Sequence, residues 1–268
     1  MTMADDYAYE FLRTLFVLRD YLPNIVLIGG CVPYIYSKYM YEAQLPPVYT
    51  TDLDILTMNE VPVSDESIRT LLTGAGYDGL VLSIDQTQYY KFESSSVPGF
   101  EVEFLTPEPG REHEETIVVQ SGLRAQILPG LELLLAHNTV TRIRDKMDEV
   151  AVDLEVRVPT PGAFVMNKIR SYLFPIGDAY RIKDIYYVFY LLRYLPIGKQ
   201  AIVDSIRACA STDDIEALIS SVQHLFFDDY SPGVLEVAVQ LTGLDMTEEN
   251  KRLLVLSEFE EFFSLFSH

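Results

Sequence analysis

Apolar residues fall into two regimes along the chain, and the change of regime divides it. The first part is dominated by short apolar runs and period-two alternation, the second by apolar residues at helical spacing. Residues 5–21 place Tyr7, Phe11, Leu15 and Leu18 on one face. That predicts an amphipathic helix, with Asp5 and Asp6 suited to its N-terminus and Pro23 ending it. The run Ile25-Val26-Leu27-Ile28 predicts a strand stopping at Gly29-Gly30. Residues 31–42 predict a helix, with Pro33 in the first turn, where amides have no helical partner. Pro46-Pro47 interrupt the chain, and Thr50-Thr51-Asp52-Leu53-Asp54-Ile55-Leu56 predicts a second strand.

The next segments predict a short helix within 61–76, capped by Ser64-Asp65-Glu66 and stopped by Gly74-Ala75-Gly76. Strand patterns follow at 79–84, 88–93, 99–105, 117–119 and 123–128, then a short helical run at 131–137. Residues 151–158 alternate like a strand and are closed by Pro159 and Pro161. Beyond Thr160 the pattern is helical throughout, over 163–174, 178–195, 199–210, 212–224, 233–241 and 247–266. The expected class is therefore α+β, with a mixed α/β domain over 1–159 and an all-helical domain over 160–268.

Composition narrows this picture. The chain has 268 residues, 49% of them hydrophobic, with 18 Tyr and 14 Phe, enough to bury a sizeable core. Forty acidic residues against 20 Lys and Arg give a formal net charge of −20, so general electrostatic attraction to a polyphosphate backbone is not expected. Two distant cysteines, Cys31 and Cys209, provide no disulfide framework. No apolar run approaches the roughly 18 residues that span a bilayer. A cytoplasmic protein is expected.

The candidate chemistry begins at Asp52 and Asp54. Side chains two apart on a strand share a face. Two carboxylates held side by side repel unless a positive charge lies between them, and hard oxygen ligands suit magnesium. Upstream, Gly29-Gly30 lets backbone amides approach a phosphate at the start of a helix. A carboxylate pair and a phosphate cradle together suggest a nucleoside triphosphate with magnesium. The four His residues have no zinc-binding spacing, and G-x-S-x-G and G-x-x-x-x-G-K-[ST] patterns are absent.

The Gly-Gly turn followed, after a helix-length gap, by Thr50-Thr51-Asp52-Leu53-Asp54 resembles the nucleotidyltransferase (polymerase-beta-like) superfamily. Its spacing is most similar to the branch containing the AbiEii-type toxins of type IV toxin–antitoxin systems. Cys31 stands where that superfamily usually has a small or hydroxylated residue. Phe100-Glu101-Val102-Glu103-Phe104-Leu105-Thr106-Pro107 matches the strand that supplies a third carboxylate, with Glu103 in place of the more usual Asp. Lys168, Lys183 and Asp184 fall on a downstream helical signature whose final Asp is here Tyr187.

The resemblance implies a magnesium-dependent transfer of a nucleoside monophosphate from a nucleoside triphosphate to an acceptor hydroxyl. Asp52, Asp54 and Glu103 would hold two Mg2+ ions. Gly29, Gly30 and Thr51 would hold the β and γ phosphates, and Lys168 and Lys183 would neutralise the leaving pyrophosphate. Asp184 would orient Lys183 or act as a local base. The toxin-like branch implies an RNA or tRNA end as acceptor and a cognate antitoxin as partner. The net charge instead suits a cationic small molecule, as in aminoglycoside nucleotidyltransferases of the same superfamily. A third reading is a nucleotide-binding or interaction module without catalysis. Arg142, Arg144 and Lys146 form the compact basic cluster that an RNA acceptor would require.

Overall fold

The computed structural model describes residues 3–43, 50–84, 87–108, 115–175, 182–242 and 245–266. The chain divides into two compact units, Met1–Pro159 and Thr160–His268. Pro46-Pro47 and residues 178–181 of the second long predicted helix lie outside the described residues.

The first unit opens with helix α1, Met3–Val17, followed by strand β1, Ile25–Ile28, whose four residues are all buried. Helix α2, Cys31–Ile35, continues directly into a π-helical turn over Tyr36–Met40, so the predicted helix of 31–42 changes its hydrogen-bonding pattern half-way. The Tyr36 hydroxyl in this turn donates to the Pro159 carbonyl at 2.6 Å. Strand β2, Asp52–Thr57, is followed by α3, Ile68–Gly74, capped by Ser67, whose hydroxyl accepts from the Thr70 amide. The cap lies one residue beyond the predicted Ser64-Asp65-Glu66.

Five further strands complete a mixed sheet: β3, Tyr77–Ile84; β4, Thr87–Ser94; β5, Glu101–Thr106; β6, Thr116–Gln120; and β7, Leu123–Ile127. The strand order is β1-β2-β5-β4-β3, with β7 joined to β5 and β6 joined to β7. Among the described residues, only β2 with β5 and β5 with β7 run parallel. One face of the three central strands carries Leu53, Ile55, Phe92, Val102 and Phe104, each at most 1% exposed. Phe92 meets Phe104 edge to face, with ring centroids 6.1 Å apart, an arrangement that adds to simple burial. Helix α1 reaches this side of the sheet, where Tyr7 stacks near Phe100 and the buried Glu10 accepts from the Ser94 hydroxyl.

A short helix, α4 (Glu132–Ala136), precedes a separate antiparallel ribbon of β8, Asn138–Met147, and β9, Val150–Pro159. The alternation in β8 buries Thr141 and Ile143 and exposes Arg142, Arg144 and Lys146. Lys38 pairs with Asp145 of the ribbon at 2.6 Å, and the Tyr39 hydroxyl donates to the same carboxylate at 2.7 Å.

The second unit is helical: α5, Pro161–Leu173; α6, Ile182–Tyr194; α7, Gly198–Cys209; α8, Thr212–Gln223; α9, Pro232–Gln240; and α10, Glu248–Ser264. Thr160, Ser211 and Thr247 cap α5, α8 and α10 by accepting from amides three residues on. The aromatic residues of the last helix belong to its core: Phe259 and Phe262 are fully buried, and Phe226 stacks on Phe259 at 3.9 Å. Among the described residues no helix is long and apolar enough to cross a membrane.

Candidate active site

The residues singled out in the first unit converge on one face of the sheet, opposite the apolar one. In β2, Leu53 and Ile55 are buried while Asp52 and Asp54 are half-buried, as strand parity requires. The parallel pairing with β5 sets Asp52 opposite Glu101 and Asp54 opposite Glu103. The antiparallel pairing of β5 with β4 sets Glu103 opposite Lys91 and Glu101 opposite Glu93. Five carboxylates therefore share a face spread over three adjacent strands, and Lys91 is the one basic residue in those strands.

The Gly-Gly turn lies directly against this face. Ile28 is in register with Asp54, so Gly29 follows where β1 leaves the sheet beside that carboxylate. Gly29 has φ +72°, a conformation that costs other residues about 1–2 kcal/mol. A Cβ built on it would overlap the Asp54 Oδ2 atom. Glycine is thus required twice, for the turn and for the close approach of backbone to carboxylate. Gly30 lies in the helical region and begins α2. Cys31, next along, is buried and its thiol meets the Ile28 carbonyl at 3.1 Å.

Thr51 is exposed, and its hydroxyl donates to Asp52 Oδ1 at 3.1 Å. Thr50 accepts from the Asp52 amide at 3.2 Å. The two threonines fix the entry into β2 and the orientation of its first carboxylate.

Glu103 is placed differently from the expectation of three convergent acids. Lys91 Nζ lies 2.5 Å from Glu103 Oε1 and 2.5 Å from Glu101 Oε2, with the Lys91 side chain only 13% exposed. Because β5 lies between β2 and β4, this ammonium draws both glutamates toward the side remote from Asp52 and Asp54. Partial burial of Lys91 works to lower its pKa, but hydrogen bonds to Glu101 and Glu103 outweigh it and raise the value above that of an ordinary lysine. Among the described residues, no group of three or more His, Cys, Asp or Glu side chains is arranged to hold a metal ion. Asp52 and Asp54 offer a hard-oxygen pair that fits one divalent cation. The third ligand of a two-ion set is engaged by an ammonium. The sequence pattern gives Lys91 no role of its own; its position as the one basic residue within the acid-rich strands is the signal that could have found it.

In the second unit, Lys168 of α5 and Asp184 of α6 form a buried ion pair at 2.7 Å, 8% and 4% exposed respectively. The Lys168 ammonium also lies 5.7 Å from the centre of the Phe164 ring and 5.5 Å from that of Tyr187. Tyr187 therefore lies against the same ammonium, from the position where the resembled signature has its final acid. The expected partnership of Asp184 with Lys183 is not formed: Lys183 is exposed, and Asp184 is turned inward to Lys168. The cause is helix periodicity, because successive residues on α6 cannot share a face.

A family profile described as Nucleotidyltransferase matches residues 19–170, more than half of the chain. The chain belongs to the nucleotidyltransferase family. The matched span of this nucleotidyltransferase includes Gly29, Gly30, Asp52, Asp54, Glu103 and Lys168, and stops before Lys183 and Asp184. A search of curated protein sequences finds no match. Among solved structures the chain is similar to JHP933 from Helicobacter pylori, at 12% identity and TM-score 0.44, covering 100% of this chain and 94% of that one. It is also similar to an antigenic nucleotidyltransferase-like protein from Paracoccidioides brasiliensis, at 14% identity and TM-score 0.37, covering 82% of this chain and 94% of that one.

Proposed function

We propose that the protein transfers a nucleoside monophosphate from a nucleoside triphosphate to an acceptor hydroxyl, with Asp52 and Asp54 as the essential carboxylates. The observation carrying this reading is the pair itself, side by side on β2 with Gly29 pressed against Asp54, in a chain of the nucleotidyltransferase family. A bound Mg2+ would supply Lewis-acid polarisation of the α-phosphate and lower the pKa of an acceptor hydroxyl. The protein's own contribution is to hold that ion on the two aspartates, to hold the triphosphate at the Gly29–Gly30 turn, and to align the acceptor for in-line attack.

The acceptor oxygen forms a bond to the α-phosphorus as the bond to pyrophosphate breaks. The acceptor proton passes to a carboxylate of the acidic face and then to solvent. Lys168 and Lys183 are the candidates for meeting the charge on pyrophosphate, and such fixed positive charge accelerates transfer without reorganising during the reaction. Asp184, through its ion pair, holds Lys168 in place.

We take an RNA end as the acceptor, with the exposed row Arg142, Arg144 and Lys146 on β8 as its landing surface and an antitoxin protein as the inhibitory partner. The formal charge of −20 supports a second reading, a cationic small-molecule acceptor.

The test is transfer from each of the four α-labelled nucleoside triphosphates with Mg2+, offered total RNA and then a panel of cationic small molecules. Label should move to one acceptor class, and the Asp52→Ala, Asp54→Ala double variant should lose transfer by at least about a thousandfold while keeping its circular dichroism spectrum. Retained transfer in that variant overturns the mechanism. Nucleotide-dependent thermal stabilisation with no transfer to anything would mark a binding module instead.

A further inference from the structure

On the carboxylate face, charge balance and strand order point beyond the two aspartates. Five acids, Asp52, Asp54, Glu93, Glu101 and Glu103, lie on neighbouring strands with only Lys91 among them. Glu93 Oε1 accepts from the Gly99 amide at 3.1 Å, which ties it to the turn before β5. Glu101 and Glu103, two apart on β5, would repel each other across that short spacing without a cation between them. Lys91 is that cation, half-buried and bonded to one oxygen of each at 2.5 Å. A lysine held by two acids in a half-buried position is a fixed charge that neither diffuses away nor depends on metal supply.

We propose that Lys91 is a positioning residue that fills the role a second metal ion would otherwise have on this face. Its ammonium keeps Glu101 and Glu103 turned toward β4, so that the nucleotide-free protein takes one divalent ion, on Asp52 and Asp54. With Lys91 neutralised, Glu103 is released next to Asp54, its register partner on β2, and the pair becomes a second place for a divalent ion. The inference rests on the reading of Asp52 and Asp54 as metal ligands given above.

The test is titration of Mn2+ alone into the full chain, with free Mn2+ read by electron paramagnetic resonance. The unaltered protein should bind one ion per chain, and the Asp52→Asn, Asp54→Asn double variant none. Lys91→Gln should bind two, while Lys91→Arg, which keeps the charge, should bind one. Since Lys91→Gln leaves the acids uncompensated and risks its fold, the double variant Lys91→Gln, Glu101→Gln serves as the second arm. It removes a positive and a negative charge together, still frees Glu103, and should also bind two. Mn2+ should then raise the melting temperature of either Lys91→Gln variant by more than that of the unaltered protein.

Two ions in the unaltered protein, or one ion in every folded Lys91→Gln variant, overturns the role given to Lys91 and leaves the aspartate pair standing. No ion bound by the unaltered protein, or one ion retained after both aspartates are replaced, overturns the aspartate reading and this inference with it.

Discussion

Two residues in this chain make unusually sharp demands on their surroundings. Gly29 combines φ +72° with contact against Asp54, so Gly29→Ala meets backbone strain and a displaced carboxylate at once. We expect a loss of about 1–3 kcal/mol in urea unfolding, together with loss of nucleotide transfer. Gly30→Ala, in the helical region, should cost less than Gly29→Ala in the same measurement. Asp184 makes the other demand: it is buried, paired through one oxygen to Lys168, and its Oδ2 has no hydrogen-bond partner among the described residues. Lys168→Met should destabilise the protein by about 3–5 kcal/mol, because a buried carboxylate loses its counter-charge, and Lys168→Met with Asp184→Leu should recover most of that in urea unfolding. The aspartate parity on β2 and the Gly-Gly turn were legible in the sequence, since both are local patterns. The pairing of Glu103 with Lys91 was not, because cross-strand register is set by the folded sheet. The same limit applies to Asp184, where the lysine adjacent in sequence is not the one in contact.

Helices and strands followed the apolar pattern closely where the pattern was long. Helices α7, α8 and α9 of the second unit match the predicted segments to within a few residues because each carries an apolar stripe, and α8 and α10 begin at a Ser or Thr cap. Strand β8 did not stand out, although Thr141 and Ile143 alternate with Arg142, Arg144 and Lys146, because its charges read as a basic cluster and not as the outer face of a ribbon. The π-helical turn over Tyr36–Met40 left no local signature. The close crossing of α5 and α7 was equally invisible. A Cβ on Gly162 would overlap backbone atoms of Ser205 and Ile206, and the Gly162 amide donates to the Ser205 hydroxyl at 2.9 Å. Gly162→Ala should therefore force the two helices apart and cost about 1–3 kcal/mol despite alanine's better helix propensity. A fall in melting temperature measures it; an unchanged or higher value would mean the crossing relaxes freely.

The formal charge of −20 bears on every partner the protein meets. Exposed charges interact over about 10 Å at 0.1 M salt, so the field is felt before contact at low ionic strength and much less at high. For a cationic acceptor, kcat/KM should fall several-fold as salt rises from about 0.05 to 0.3 M, since attraction is screened. For an RNA acceptor, repulsion by the bulk of the surface is screened together with attraction to the short β8 row, so kcat/KM should stay level or rise. Steady-state kinetics at several salt concentrations separates the two acceptor classes even before the natural substrate is identified.

The topology of the sheet has a consequence in time. Strands β2 and β5 lie side by side and parallel, yet α3 and the β3–β4 hairpin come between them along the chain. The hairpin, held by near neighbours, can form within microseconds, whereas the β2–β5 pairing must wait for a long loop to close against its entropy. The strand bearing Asp52 and Asp54 therefore meets the one bearing Glu101 and Glu103 late in folding. A ribosome-bound chain that has not yet released β5 carries the two aspartates on a strand paired along one edge only, with β1, and the five-acid face does not exist until the second edge closes.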